Sequence, residues 1–147
     1  GTAYCMVVMS DKSVGSPIIK NPAHLVAMNR PSLEKFAPHV RPSGVIMINS
    51  SLISIGSDRK DIDEIRVPVT DIAVKVGNVR SANIAALGAF VSRSKILDFE
   101  VLRRCVREEF ATKEAFLALN LAALEEGKKA AADIPEYNTG QKIPAVT

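Results

Sequence analysis

The sequence contains no tryptophan, and its seven other aromatic residues, five Phe and two Tyr, are spread along 147 positions. Binding of single-stranded nucleic acid requires aromatic stacking platforms in a basic groove, and this chain has neither. Charge is close to balance. The 19 Lys and Arg oppose 16 Asp and Glu, a net +3, and the signs interleave where they cluster, as at Arg103, Arg104, Arg107, Glu108 and Glu109. Such a mixture makes a solvated helix face, so no nucleic-acid partner is expected. Cysteine is scarce too. Cys5 and Cys105 form no CxxC pair and no disulfide framework, which excludes structural zinc and iron–sulfur ligation by this chain alone. Both are expected to be inert core thiols, Cys5 in a strand and Cys105 on an apolar helix flank, in a reducing cytoplasm.

Apolar runs such as Leu25 to Met28 and Val45 to Ile48 fall far short of the ~18 residues that span a bilayer, so no membrane segment is expected. No GxSxG elbow, Walker A sequence or GxGxxG is present. His24 and His39 lack the HxH or HxxxH spacing of a metal site and are expected to be ordinary residues. No catalytic residue and no metal ligand can be named on these grounds.

The composition that is present, 47% hydrophobic and 24% charged, belongs to one globular domain able to bury roughly 70% of its unfolded surface. Four apolar runs, Tyr4 to Met9, Leu25 to Met28, Val45 to Ile48 and Ile65 to Val67, do not alternate with polar residues. They predict strands covered on both faces, hence an α/β fold with a mostly parallel sheet. Pro31 to Phe36 predicts a short helix ended by Pro38, which makes residues 25–48 a βαβ unit. Thr70 is expected to cap a helix closed by Gly77, and Ser81 to open a helix rich in small residues from Ala82 to Ala89. A helix capped by Asp98 carries the stripe Phe99, Leu102, Val106 and Phe110, and another carries Leu117, Leu121 and Leu124 and is expected to end at Gly127. The domain is therefore placed at 1–127, with 128–147 a tail that is mobile or laid on a partner.

Two polar clusters follow strands directly: Asn29-Arg30-Pro31-Ser32 and Asn49-Ser50-Ser51. In an open α/β sheet, ligands bind outside the carboxyl ends of the strands, which makes Asn29, Ser32, Asn49, Ser50 and Ser51 candidate ligand donors. The same residue types form Asx turns, ST turns and helix caps with no ligand at all, and spacing does not separate the two roles. The helix beginning near Pro31 would add free N–H groups and a positive dipole end that favour an anion.

Several blocks in order, among them Gly15 to Ile19, Ala27 to Phe36, Pro42 to Val45, Ile48 to Ile53, Val67 to Ala73, Ala82 to Ala89 and Asn120 to Gly127, resemble the gamma subunit of 2-oxoacid:ferredoxin oxidoreductases. The resemblance implies a three-layer α/β/α domain with a helical C-terminal third. It also implies a subunit, inactive alone, of a cytoplasmic enzyme that converts a 2-oxoacid and coenzyme A to acyl-CoA and CO2 and passes electrons to ferredoxin. Thiamine diphosphate with Mg and the iron–sulfur clusters are then expected on alpha and beta chains and on a ferredoxin-like delta chain. Coenzyme A would be a co-substrate at the polar rim of Asn29, Ser32, Asn49, Ser50 and Ser51, and the isolated chain would self-associate. Asn29 to Ser32 and Asn49 to Ile53 look most like 2-oxoglutarate enzymes. Family members begin with a βα unit bearing a Gly-Gly-Gln-Gly turn, which this sequence lacks, so Gly1-Thr2 reads as a cut edge. A stand-alone nucleotide or coenzyme A binding domain and a ligand-free structural scaffold are the competing readings.

Overall fold

The computed structural model describes residues 3–16 and 18–136. Its centre is a parallel sheet of β1 (His24–Ala27), β2 (Val45–Asn49) and β3 (Asp63–Val67) in the order β1-β2-β3. Every residue of β2 is buried, which a strand without alternation requires. Its side chains divide by the two-residue period of a strand. Ile46 and Ile48 pack with Ala27, Leu33, Val40, Ile53 and Ile62 on one face. Met47 joins Ile65, Val67, Ala85, Ala89 and Ala123 on the other.

Between β1 and β2 the chain crosses through α1 (Arg30–Phe36) and a 3-10 turn at Ala37–His39, as Pro31 and Pro38 dictate. The link from β2 to β3 has no helix. It is pinned by charge instead: Arg59 Nη1 donates to the carbonyls of Ala37 at 3.0 Å and Val40 at 2.8 Å, while its Nε and Nη2 hold the Asp61 carboxylate. Ile53 and Ile62 of this link are buried against the sheet. After β3 come α2 (Val69–Lys75), closed by Gly77 at φ +97°, then a 3-10 turn at Val79–Ser81 and α3 (Ala82–Ser94), α4 (Phe99–Glu109) and α5 (Glu114–Ala132). Asp98 caps α4 by accepting from Glu100 N–H at 2.7 Å, and Leu102 and Val106 face Ile84, Val91 and Leu124.

The tightest contact is between α3 and α5. A Cβ added at Gly88 would lie 3.0 Å from the Leu124 carbonyl carbon, and one added at Gly127 2.8 Å from that of Ala85, each closer still to the carbonyl oxygen. The two glycines thus face each other's helix backbone, with Ala85, Ala86, Ala89, Ala123 and Ala131 filling the seam. Beyond the seam, Arg93 of α3 grips Asp63 at the head of β3 at 2.5 and 2.7 Å and donates to the carbonyls of Ile134 and Pro135. Donating to the Asp63 carboxylate raises the Arg93 pKa above its ordinary value.

Three expectations are corrected. Gly127 does not end its helix: α5 runs on to Ala132, because the glycine serves the seam, and only residues 137–147 of the expected tail lie outside the described residues. Tyr4 to Met9 is not a strand. Tyr4 is 60% and Val7 73% exposed, Tyr4 rests on Phe36 of α1, and among the described residues no strand pairs with the segment to satisfy its backbone. Cys5 is exposed on that segment, and Cys105 is exposed because it points off the Leu102–Val106 stripe, so neither is a core thiol. Ser81 opens α3 as expected, standing at its N-cap position, although its hydroxyl is turned away and donates to Asn120 Oδ1 at 2.6 Å.

Alanine normally exceeds glycine in helix propensity by about 1 kcal/mol, but in this seam the added methyl group must displace backbone. Gly88→Ala and Gly127→Ala should each destabilise the fold by about 1 to 3 kcal/mol, whereas Gly15→Ala, in open space, should leave it unchanged. Chemical denaturation of the three variants checks this, and a gain in stability at either helix glycine would mean a looser contact.

His24 gives a pH dependence. It stands edge-on to Phe90 with Nδ1 buried and without a partner, and burial lowers its pKa. The folded value lies below the unfolded one of about 6.5, so its stability contribution is complete above that pH and falls away as pH drops below it. The difference in unfolding free energy between wild type and His24→Phe should therefore shift in the variant's favour between pH 7 and pH 5, measured by urea titration.

Candidate functional site

The parallel register brings the carboxyl ends of all three strands to one edge, with Ala27 opposite Ile48 and Asn49 opposite Val67. The residues that follow each strand form the rim there. After β1, Asn29 adopts extended backbone and its Oδ1 accepts from Ser32 N–H at 2.9 Å, capping α1. Ser32 is 9% exposed, so its side chain sits beneath the rim. Arg30 is exposed and its Nε donates to Glu34 at 2.7 Å.

Asn49 organises the rest. It is 0% exposed, and a buried primary amide must find partners for both its ends. Nδ2 donates to Thr70 Oγ1 at 2.9 Å and Oδ1 accepts from Ser51 N–H at 3.3 Å. Its main-chain oxygen accepts from Leu52 and Ile53, turning the chain back. Ser50 N–H donates to the Val67 carbonyl at 3.0 Å, one step beyond the ladder, and Ser51 Oγ accepts from Asp71 N–H at 3.1 Å. Ser50 and Ser51 remain half-buried at the surface.

All five candidates thus lie along this edge, Asn29 and Ser32 beside β1 and Asn49, Ser50 and Ser51 beside β2 and β3. The sequence reading missed Thr70 and Asp71, having spent Thr70 on a helix cap. The start of α2 has no side-chain cap, and the Thr70 hydroxyl is turned to Asn49. The rule that singled out the other two clusters, polar residues directly after a strand, also points to Val69-Thr70-Asp71 after β3. Electrostatically the rim is graded, with the Arg30–Glu34 ion pair near β1 and the exposed Asp71 carboxylate near β3.

Two open clefts lie elsewhere. One of about 520 Å³, lined by Asn21, His39, Arg41 and Arg59 among others, is at the amino ends of the strands. Another of about 500 Å³ lies between α3 and α4, where Lys128 stands 4.2 Å over the Phe99 ring. Rim residues line neither, and Arg59 in the first is already committed to Asp61 and three carbonyls. Among the described residues, no three His, Cys, Asp or Glu side chains converge as metal ligands would. No helix there is long and apolar enough to cross a membrane.

Comparison with known proteins places this architecture. The family model for pyruvate ferredoxin/flavodoxin oxidoreductase matches residues 1–130. Ketoisovalerate oxidoreductase subunit VorA of Methanothermobacter thermautotrophicus is 38% identical over 128 residues, covering 86% of this chain and 26% of that protein. VorA of Methanothermobacter marburgensis is also 38% identical, covering 86% and 27%. The chain therefore spans about a quarter of the length of these curated relatives. Among solved structures, the gamma subunit of a keto/oxoacid ferredoxin oxidoreductase from Geobacter sulfurreducens superposes with a TM-score of 0.70 at 25% identity, over 76% of this chain and 65% of that one. The 2-oxoglutarate:ferredoxin oxidoreductase from Magnetococcus marinus, with 2-oxoglutarate, coenzyme A and succinyl-CoA bound, gives a TM-score of 0.68 at 23% identity. It shares the fold over 78% of this chain and 20% of its own.

The rim makes a stability prediction independent of any ligand. Asn49→Ala strips Thr70 and the Ser51 amide of their partner in a buried place, a loss of about 1 to 3 kcal/mol. Ser50→Ala removes a half-exposed hydroxyl and should change stability by no more than about 0.5 kcal/mol. Equal midpoints for both variants in urea would contradict the organising role of Asn49.

Proposed function

The chain belongs to the pyruvate ferredoxin/flavodoxin oxidoreductase family, and from this we propose that it is the gamma-type unit of a 2-oxoacid:ferredoxin oxidoreductase. In this reading the assembled enzyme converts a 2-oxoacid and coenzyme A to acyl-CoA and CO2 in the cytoplasm. Thiamine diphosphate, Mg and the iron–sulfur clusters are carried by alpha, beta and ferredoxin-like delta chains, and ferredoxin takes the electrons. The observation that carries the proposal is the family match over residues 1–130, supported by the likeness to a gamma subunit at a TM-score of 0.70.

On this chain the rim of Asn29, Ser32, Asn49, Ser50 and Ser51 is the face for coenzyme A. Ser50 and Ser51 lie half-buried at the surface, Asn49 holds Ser51 from below, and Asn29 sets the start of α1 through the Ser32 amide. The phosphates belong on the α1 side of the rim, away from the Asp71 carboxylate, since like charges repel over a few ångströms. The 38% identity to VorA supports a branched-chain 2-oxoacid such as ketoisovalerate as substrate. The blocks at Asn29 to Ser32 and Asn49 to Ile53 favour 2-oxoglutarate, while the Magnetococcus enzyme, at 23% identity, informs the fold alone. Rates of the purified complex on the two acids decide between them.

A ligand-free scaffold is the second reading, favoured because the Asn29 and Asn49 side chains already have partners within the chain. The test is Ser50→Ala in the assembled enzyme. Loss of a neutral donor should weaken coenzyme A by about 0.5 to 1.5 kcal/mol, seen as a higher KM for coenzyme A with that for the 2-oxoacid unchanged. Unchanged constants would leave the scaffold, and calorimetric binding of coenzyme A by the isolated chain would favour a stand-alone domain.

A further inference from the structure

Thr70 has no part in the coenzyme A face as drawn above, yet it holds the residue on which that face is built. Asn49 is sealed from solvent, and its amide can be satisfied in one sense only. The Ser51 N–H must meet an oxygen, so the Asn49 carbonyl points to Ser51 and its NH2 group must be received on the opposite side. Thr70 Oγ1 receives it at 2.9 Å, from the first turn of α2. A second tie runs beside the first, from Asp71 N–H to Ser51 Oγ at 3.1 Å. The surface turn at Ser50 and Ser51 is therefore clamped between the end of β2 and the start of α2. Its orientation depends on a hydroxyl 21 residues away in sequence.

We propose that Thr70 is a positioning residue for coenzyme A: acting through Asn49, its hydroxyl fixes the Ser50–Ser51 turn in the geometry that the ligand meets. This rests on the reading of the rim as the coenzyme A face. Thr70 touches no reacting atom in this account, so turnover at saturation is independent of it. With the hydroxyl removed, the Asn49 NH2 group has no receiver, the amide is free to rotate, and Ser51 loses its fixed acceptor. The ligand then meets a turn that must be ordered on binding, and affinity falls although every group of the rim is still present.

The experiment compares Thr70→Val, Thr70→Ser and Ser50→Ala in the assembled oxidoreductase, with KM for coenzyme A, KM for the 2-oxoacid and kcat measured separately. Thr70→Val keeps the shape and loses the hydroxyl; Thr70→Ser keeps the hydroxyl. Thr70→Val should raise KM for coenzyme A by roughly 2- to 12-fold, the range of one neutral hydrogen bond, with the other two constants unchanged. Thr70→Ser should restore it. An unchanged KM in Thr70→Val, while Ser50→Ala raises it, overturns the role of Thr70 and leaves the coenzyme A face standing. Unchanged values in both variants overturn both. If Thr70→Ser behaves as Thr70→Val does, the hydroxyl is not the cause and the proposal fails; kcat falling with KM constant sinks it equally.

Discussion

The approach of α3 to α5 governs the rest of this structure. Two helices normally pack with axes 8 to 10 Å apart, held off by side chains, and here Gly88 and Gly127 remove the side chains at the crossing so that each backbone meets the other's. Helix propensity is sacrificed at both positions, by about 1 kcal/mol each relative to alanine. The return is a flat double helix layer lined with alanine, which lies on Met47, Ile65 and Val67 of the sheet. From that layer Arg93 reaches the head of β3, and the Ser81 hydroxyl reaches Asn120.

At the opposite end of the strands the means of cohesion changes from shape to hydrogen bonding. A buried asparagine links β2, the Ser50–Ser51 turn and α2, and no apolar substitute could make those links. The domain is thus close-packed at the seam, and it presents a hydrogen-bonded polar edge where the strands stop. In an open α/β sheet this is where ligands are met.

Much of this was legible in the residues. The apolar runs at 25–28, 45–48 and 65–67 predicted parallel strands, and Pro31 and Pro38 bounded α1, because backbone sterics act locally; burial on both faces holds for β2 alone, since Val26 of β1 and Arg66 of β3 are exposed. Tyr4 to Met9 misled for the opposite reason: its apolar residues are strand formers, but a strand exists only with a neighbour to pair with, and that is not a local property. Gly127 has the same moral. A glycine late in an amphipathic run signals a helix end as readily as a close crossing, and only the presence of Gly88 across the seam separates the two. Thr70 reads as a cap in the sequence because its partner lies 21 residues earlier, and such a pairing leaves no trace in spacing.

Hydrogen–deuterium exchange on the assembled oxidoreductase, with and without coenzyme A, tests the central claim most directly. The account predicts slowed exchange in 49–53 and 68–71 on adding coenzyme A, with the Gly88–Gly127 seam protected in both states. Protection confined to the cleft at His39, Arg41 and Arg59, at the other end of the strands, or none anywhere in the chain, would contradict it.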